Sequence, residues 1–188
     1  MTAQPCGPPG RLRRHNPAPI HNYPLTLKEL TMSVQGKDQF HTGMIVDDLD
    51  ASADELTRTA GLHWSPRIDT EVPIWSPDGR IEVHRMVATY SVEAPHLELI
   101  TATPGSLWDS ASRPLHHFGY WSDDLLEESA ELERLGLRRV AAATVNDTFY
   151  GFSYHVTRDG LFLELVDRAV FPDWQGFLKG NIAFGSST

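Results

Sequence analysis

One stretch of this 188-residue chain is written twice. His41-Thr42-Gly43-Met44-Ile45-Val46-Asp47-Asp48-Leu49 returns as His117-Phe118-Gly119-Tyr120-Trp121-Ser122-Asp123-Asp124-Leu125. Each copy has a companion further on, Leu97-Glu98-Leu99-Ile100 and Leu163-Glu164-Leu165-Val166. A repeated unit folds the same way twice, and a unit of this size cannot cover its own sheet face, so the copies are expected to pair around a shared core. Two histidines and two glutamates then stand at matching points.

The spacing predicts a strand over 40–46 that stops at Asp47-Asp48. A helix follows, with Leu49, Ala53, Leu56 and Ala60 on one face and Gly61 as its stop. Pro66, Pro73, Pro77 and Gly79 read as a loop, with Trp64 marking a short strand ahead of it, and strands are expected over 80–92 and 96–102. After a linker holding Pro104, Gly105, Ser106 and Pro114, the order returns: a strand to Ser122, a helix from Asp124 to Leu135, and strands over 138–144, 152–157 and 161–166. The expected organisation is an arm at 1–38, a first βαβββ module at 39–103, a linker at 104–114, a second module at 115–167 and an apolar tail at 168–188. Asp47, Asp48, Asp123 and Asp124 read as helix N-terminal caps.

Six of the 13 prolines fall in 1–38, which predicts extended or irregular chain there, and Ile20, Tyr23, Leu25, Leu27 and Leu30 would let the arm lie along a partner. That segment carries a net charge of +3 and leaves −12 for 39–188. An acidic body excludes nucleic acid as the main partner. No apolar run approaches the roughly 18 residues that span a bilayer, so no membrane partner is expected. The single cysteine, Cys6, precludes an internal disulfide framework and fits a cytoplasmic protein. The apolar tail, with Phe171, Trp174, Phe177, Leu178, Ile182 and Phe184, is expected to dock on the body, on a second subunit or over a pocket; the apolar ends favour a homodimer.

The chemistry falls to His41, Glu98, His117 and Glu164. Alternate residues of a strand share a face, so Leu97 and Leu99 set against a helix turn Glu98 toward the concave side, where a carboxylate needs a partner. Two imidazoles and two carboxylates suit one divalent ion, Fe, Ni, Co, Mn or Zn, with positions left for water and substrate. The repeat register selects His117 over His116 and turns His116 to the other face. His84 on the third strand, Trp121 on the face of His117, and one of Tyr154 and His155 are further pocket candidates.

The segment from Gln39 to Asp167 resembles the vicinal oxygen chelate superfamily, also described as the glyoxalase, bleomycin-resistance and extradiol dioxygenase superfamily. The resemblance implies an α+β fold of two paired βαβββ modules forming an incomplete barrel around a metal site. Its ligands, from the first and fourth strands of each module, are His41, Glu98, His117 and Glu164. Bacterial glyoxalase I-like enzymes use His, Glu, His, Glu in this order. Methylmalonyl-CoA epimerases usually have glutamine in the place of Glu98, and extradiol dioxygenases use a triad that here is His41, His117 and Glu164. The segment Phe152-Ser153-Tyr154 is similar to the one ahead of the last dioxygenase ligand. Retention of all four donors implies an isomerase, epimerase or lyase acting on a small carbonyl metabolite through an enediolate-type intermediate, with Glu164, then Glu98, moving the proton. The alternatives are an extradiol-type Fe(II) dioxygenase, a metal-free small-molecule binding protein of the resistance type, and a lyase or cyclase of secondary metabolism.

Overall fold

The computed structural model describes residues 34–109 and 115–184. The expected roles of the apolar residues of the arm and of Pro114 lie outside the described residues. Strand β1 (Gln39–Val46) leads into helix α1 (Leu49–Ala60) and strands β2 (Ile68–Trp75), β3 (Ile81–Tyr90) and β4 (His96–Thr101). Strand β5 (Leu115–Ser122), helix α2 (Leu125–Arg134) and strands β6 (Arg138–Val145), β7 (Thr148–Val156) and β8 (Phe162–Asp167) repeat that order. A short helix α3 (Trp174–Leu178) follows. Among the described residues no helix is long and apolar enough to cross a membrane.

Both helices start where an aspartate supplies the missing acceptor. The Asp48 carboxylate accepts the Ala51 N–H at 3.0 Å and the Asp124 carboxylate the Glu127 N–H at 3.1 Å. Asp47 makes no such cap, and Asp123 instead accepts a bond from the Arg168 guanidinium at 2.8 Å. Helix α1 ends at Gly61, whose φ of 71° is the left-handed conformation that a residue without Cβ adopts freely.

The eight strands pair in the order β1-β4-β3-β2-β6-β7-β8-β5 and back to β1. The first strands of the two units lie antiparallel, with Gly43 opposite His117 and His41 opposite Gly119. Within each unit the first strand runs parallel to the last, which sets Glu98 beside Gly43 and Glu164 beside Gly119. The two units therefore pair within the chain. The incomplete barrel expected above is in fact a closed ring, its seam made by Ile74 opposite Ala143 and Trp75 opposite Ala142.

The stretch read as a loop because of its prolines contains strand β2. Pro73 is tolerated because β2 pairs along its whole length with β3 but meets β6 only at its last two residues, so most of its other edge needs no donor. Trp64 forms only an isolated bridge with Ser91. Inside the ring, Ile45, Met86, Tyr90, Ile100, Tyr154 and Val166 are buried, while Leu99 and Leu165, of opposite parity to the glutamates, are also fully buried. The tail docks on the body of its own chain: Phe171, Phe177 and Leu178 join the same core.

Candidate metal centre

His41 and Gly43 alternate on β1, as His117 and Gly119 do on β5, and the antiparallel pairing lays each histidine over the other unit's glycine. A Cβ on Gly43 would collide with the His117 ring, and one on Gly119 with the His41 ring. This explains the shared His-x-Gly pattern: each glycine is the floor on which the opposite imidazole rests.

The four repeated residues meet. His41 Nε2 and His117 Nε2 lie 2.8 Å apart. His41 Nε2 is 3.4 Å from Glu98 Oε2 and 3.1 Å from Glu164 Oε2, and His117 Nε2 is 3.1 and 3.2 Å from the same atoms. All four donor atoms fall within 4.8 Å of one another. With bonds of about 2.1 Å to a common centre, neighbouring donors stand roughly 3.0–3.4 Å apart, so the set has the dimensions of a coordination shell. Glu98 and Glu164 are only 3 % and 5 % exposed, and Oε2 of each makes no hydrogen bond. Buried carboxylates without donors are costly unless a cation faces them. The residues fit a divalent ion.

Electrostatics in the cluster point the same way. Burial lowers the proton affinity of His117, but the charge of Glu164 and contacts with both carboxylates overrule it and raise the pKa to about 9. His41 is raised against burial by contacts with Glu164 and Glu98. Burial pushes the two carboxyls up, and the imidazoles beside them pull both below the usual range. Without an ion the cluster neutralises itself with imidazole protons, which are what an ion replaces.

A family model described as the glyoxalase, bleomycin resistance protein and dioxygenase superfamily matches residues 40–154, well over half of the chain. The chain belongs to this superfamily. No curated protein matches it. A hypothetical protein of Bacillus halodurans C-125 has the same fold, at a TM-score of 0.50 and 14 % identity over 69 % of this chain and 92 % of that one. Streptomyces coelicolor methylmalonyl-CoA epimerase bound to 2-nitronate-propionyl-CoA gives a TM-score of 0.48 and 18 % identity over 69 % and 96 %. Mycobacterium tuberculosis methylmalonyl-CoA epimerase gives 0.47 and 16 % over 73 % and 90 %.

In this member of the superfamily two residues beside the cluster escaped the sequence reading. His116 does not turn away. Pairing skips it between Gly43–His117 and Met44–Leu115, so it is the extra residue of a β-bulge, which breaks the alternation. It is buried, its Nε2–H donates to the Leu107 carbonyl at 3.0 Å, and its Nδ1 faces His117 Nδ1 at 2.9 Å. Burial, reinforced by the neighbouring His117, lowers the His116 pKa to about 4, so the ring is neutral. Nδ1 therefore accepts from His117 Nδ1–H, and the Nε2 lone pair of neutral His117 is left for the cluster.

The second is Tyr90, opposite Glu98 across β3 and β4, just as Tyr154 stands opposite Glu164 across β7 and β8. Their rings meet His41 and His117 edge-on at 5.3 and 5.2 Å. Burial, then the charge of both glutamates, raises the two phenols well above their ordinary range. The repeat itself carried the signal, in Tyr90-Ser91-Val92 and Tyr154-His155-Val156.

The remaining candidates divide. Tyr154 lines a cavity of about 180 Å³ that Glu98, Glu164 and Tyr90 also border. His155 points the other way, its Nε2 2.9 Å from Ser129 Oγ on α2. His84 lies outside this cavity, edge-on to Trp108 at 6.5 Å. Trp121 stacks on Phe40 at 3.5 Å, packs against Trp174 and, with them and His41, lines a second cavity rather than the one bordered by the carboxylates.

Proposed function

We propose that the protein is a divalent-metal-dependent isomerase, epimerase or lyase acting on a small carbonyl compound. His41, Glu98, His117 and Glu164 hold the ion. The convergence of these four buried donors beside a cavity bordered by both carboxylates supports this reading. When bound, the ion supplies Lewis-acid stabilisation of the charge that develops on substrate oxygens as the neighbouring carbon loses its proton.

The chain's own residues do the rest. Glu164, held ionised, accepts the proton at a carboxylate oxygen and returns it, to the same or the adjacent carbon; Glu98 stands by pseudo-symmetry on the other side. Tyr90 and Tyr154 keep their phenolic protons and supply donors to oxygen atoms of the substrate or to the carboxylates. The buried walls exclude water from the enediolate-type intermediate.

The test is proton exchange. Metal-loaded protein should wash deuterium from solvent into substrate without consuming oxygen, and Glu164→Gln should lower turnover by about 100-fold or more while metal is still bound. Full turnover in that variant would move the role elsewhere. The likeness of Phe152-Ser153-Tyr154 to the segment ahead of the last dioxygenase ligand supports a second reading, an extradiol-type Fe(II) dioxygenase, which oxygen uptake with catechols would establish instead.

A further inference from the structure

The cavity in front of the carboxylates has a chemistry of its own. Its body is hydrocarbon and aromatic: Ile68, Val72 and Met86 from β2 and β3, Phe152 from β7, and Phe171 and Phe184 from the segment after β8. Its polar lining consists of Glu98, Glu164, Tyr90 and Tyr154 beside the cluster, together with Thr70, Glu71, Thr144 and the Tyr150 hydroxyl. Among the described residues no lysine, arginine or histidine lines it. The large apolar residues Val145 and Tyr150 also line it while being 52 % and 46 % exposed, which makes its outer edge apolar too.

From these walls we infer that the substrate is a compact, uncharged aromatic or alicyclic hydroxy-carbonyl compound, bound ring-first against the tail's phenylalanines, and not a glutathione or coenzyme A conjugate. The inference rests on the metal-centre reading for the orientation of the oxygens. Charge decides the class. Two carboxylates balance one dication, so the centre is neutral toward an incoming molecule and offers compensation only for the single charge generated by proton loss. A phosphate or carboxylate elsewhere on the substrate would meet no cation along the described lining and would be repelled by the exposed Glu71 carboxylate.

Size gives the second limit. A dry apolar cavity of about 150 Å³ is filled by benzene, so this one, at about 180 Å³, takes a single ring of about seven non-hydrogen atoms, with the substrate's oxygens reaching out of it to the carboxylate end. Ring geometry gives the third. Phe171 stands 6.0 Å from Tyr90 and 5.4 Å from Phe184, leaving aromatic edges and faces to receive a planar ring. The tail is thereby a specificity-determining wall of the same chain.

The test uses 2-hydroxyacetophenone, S-lactoylglutathione and methylmalonyl-CoA as probes, with binding to zinc-loaded full-length protein followed by ligand-observed NMR. Ala143, buried in the cavity wall on β6, is replaced in Ala143→Phe to fill the space, with Val72→Phe as a second filler should the first not fold. The expected result is binding of the hydroxyketone, weakened about tenfold or more by either filler, with zinc affinity in chelator competition unchanged. Tighter binding of either conjugate, or hydroxyketone binding indifferent to both fillers, overturns the inference. Failure of the metal reading is separately visible as absence of zinc uptake, and the same probes then report the cavity's preference in metal-free protein.

Discussion

His41, Glu98 and Tyr90 on β1, β4 and β3 occupy the places that His117, Glu164 and Tyr154 occupy on β5, β8 and β7, and each histidine rests on the other half's glycine. The halves part company one residue before each histidine. Phe40 and His116 are both skipped by the β1–β5 pairing, yet Phe40 stacks on Trp121 and meets His41 edge-on at 4.4 Å, while His116 links His117 to the Leu107 carbonyl. His41 Nδ1 accordingly has no hydrogen-bond partner. On the side away from the cluster, one half backs its imidazole by packing alone, the other by packing and a defined tautomer. Duplication has kept what reaches the centre and left free what stands behind it.

The strongest way to break this comparison is through the shared floor. Gly43→Ala displaces the imidazole of the other half, His117, and Gly119→Ala displaces His41. Both substitutions overpack a buried strand pair, and each is expected to destabilise the fold by about 1–3 kcal/mol and to abolish tight metal binding. Urea unfolding and metal content measure the two effects. A stable Gly43→Ala protein with normal metal content would show that the histidines do not rest on the glycines.

The support behind the histidines should be unequal. Losing an outer hydrogen-bond partner typically costs about 10–100-fold in metal affinity. His116→Leu should show that loss, His116→Asn, which restores an acceptor near Nδ1, should recover much of it, and Phe40→Leu should show little. Competition with a chelator at fixed pH reads all three. Equal effects of His116→Leu and Phe40→Leu would reduce His116 to a space-filler.

The same contrast explains what was legible in the sequence. The donors were readable because duplication gives a register, and register plus strand alternation turns Glu98 and Glu164 inward. His116 was assigned to the wrong face because alternation assumes an unbroken ladder, and a bulge leaves no local mark in residue types. Strand β2 was hidden by Pro73, whose tolerance depends on an edge that exists only once β3 has paired and β6 has met just two residues. Tyr90 lay in the repeat but outside its most similar part. The cavity's character comes from β2, β7 and the tail, brought together only by closure of the ring.

Protonation provides the mildest test. In metal-free protein His117 is raised from its ordinary 6.5 to about 9 and His41 is raised as well, so their contribution to stability is complete below pH 6.5 and is lost as pH climbs toward about 9. Glu98 and Glu164 are lowered from 4.5, so theirs is complete above pH 4.5 and is lost as pH falls. Metal-free protein should therefore be most stable between these ordinary values. Metal binding runs the opposite way over the alkaline range, because the ion displaces a proton from His117, and from His41 where that ring is also protonated, so its affinity should rise by at least about tenfold per pH unit up to about 9. The difference in Tm between zinc-loaded and metal-free protein should then widen by roughly 3–5 °C for each unit between pH 6.5 and 9. A difference that stays constant over that range would mean that His117 enters the centre without giving up a proton, and that both halves are held neutral in the metal-free state.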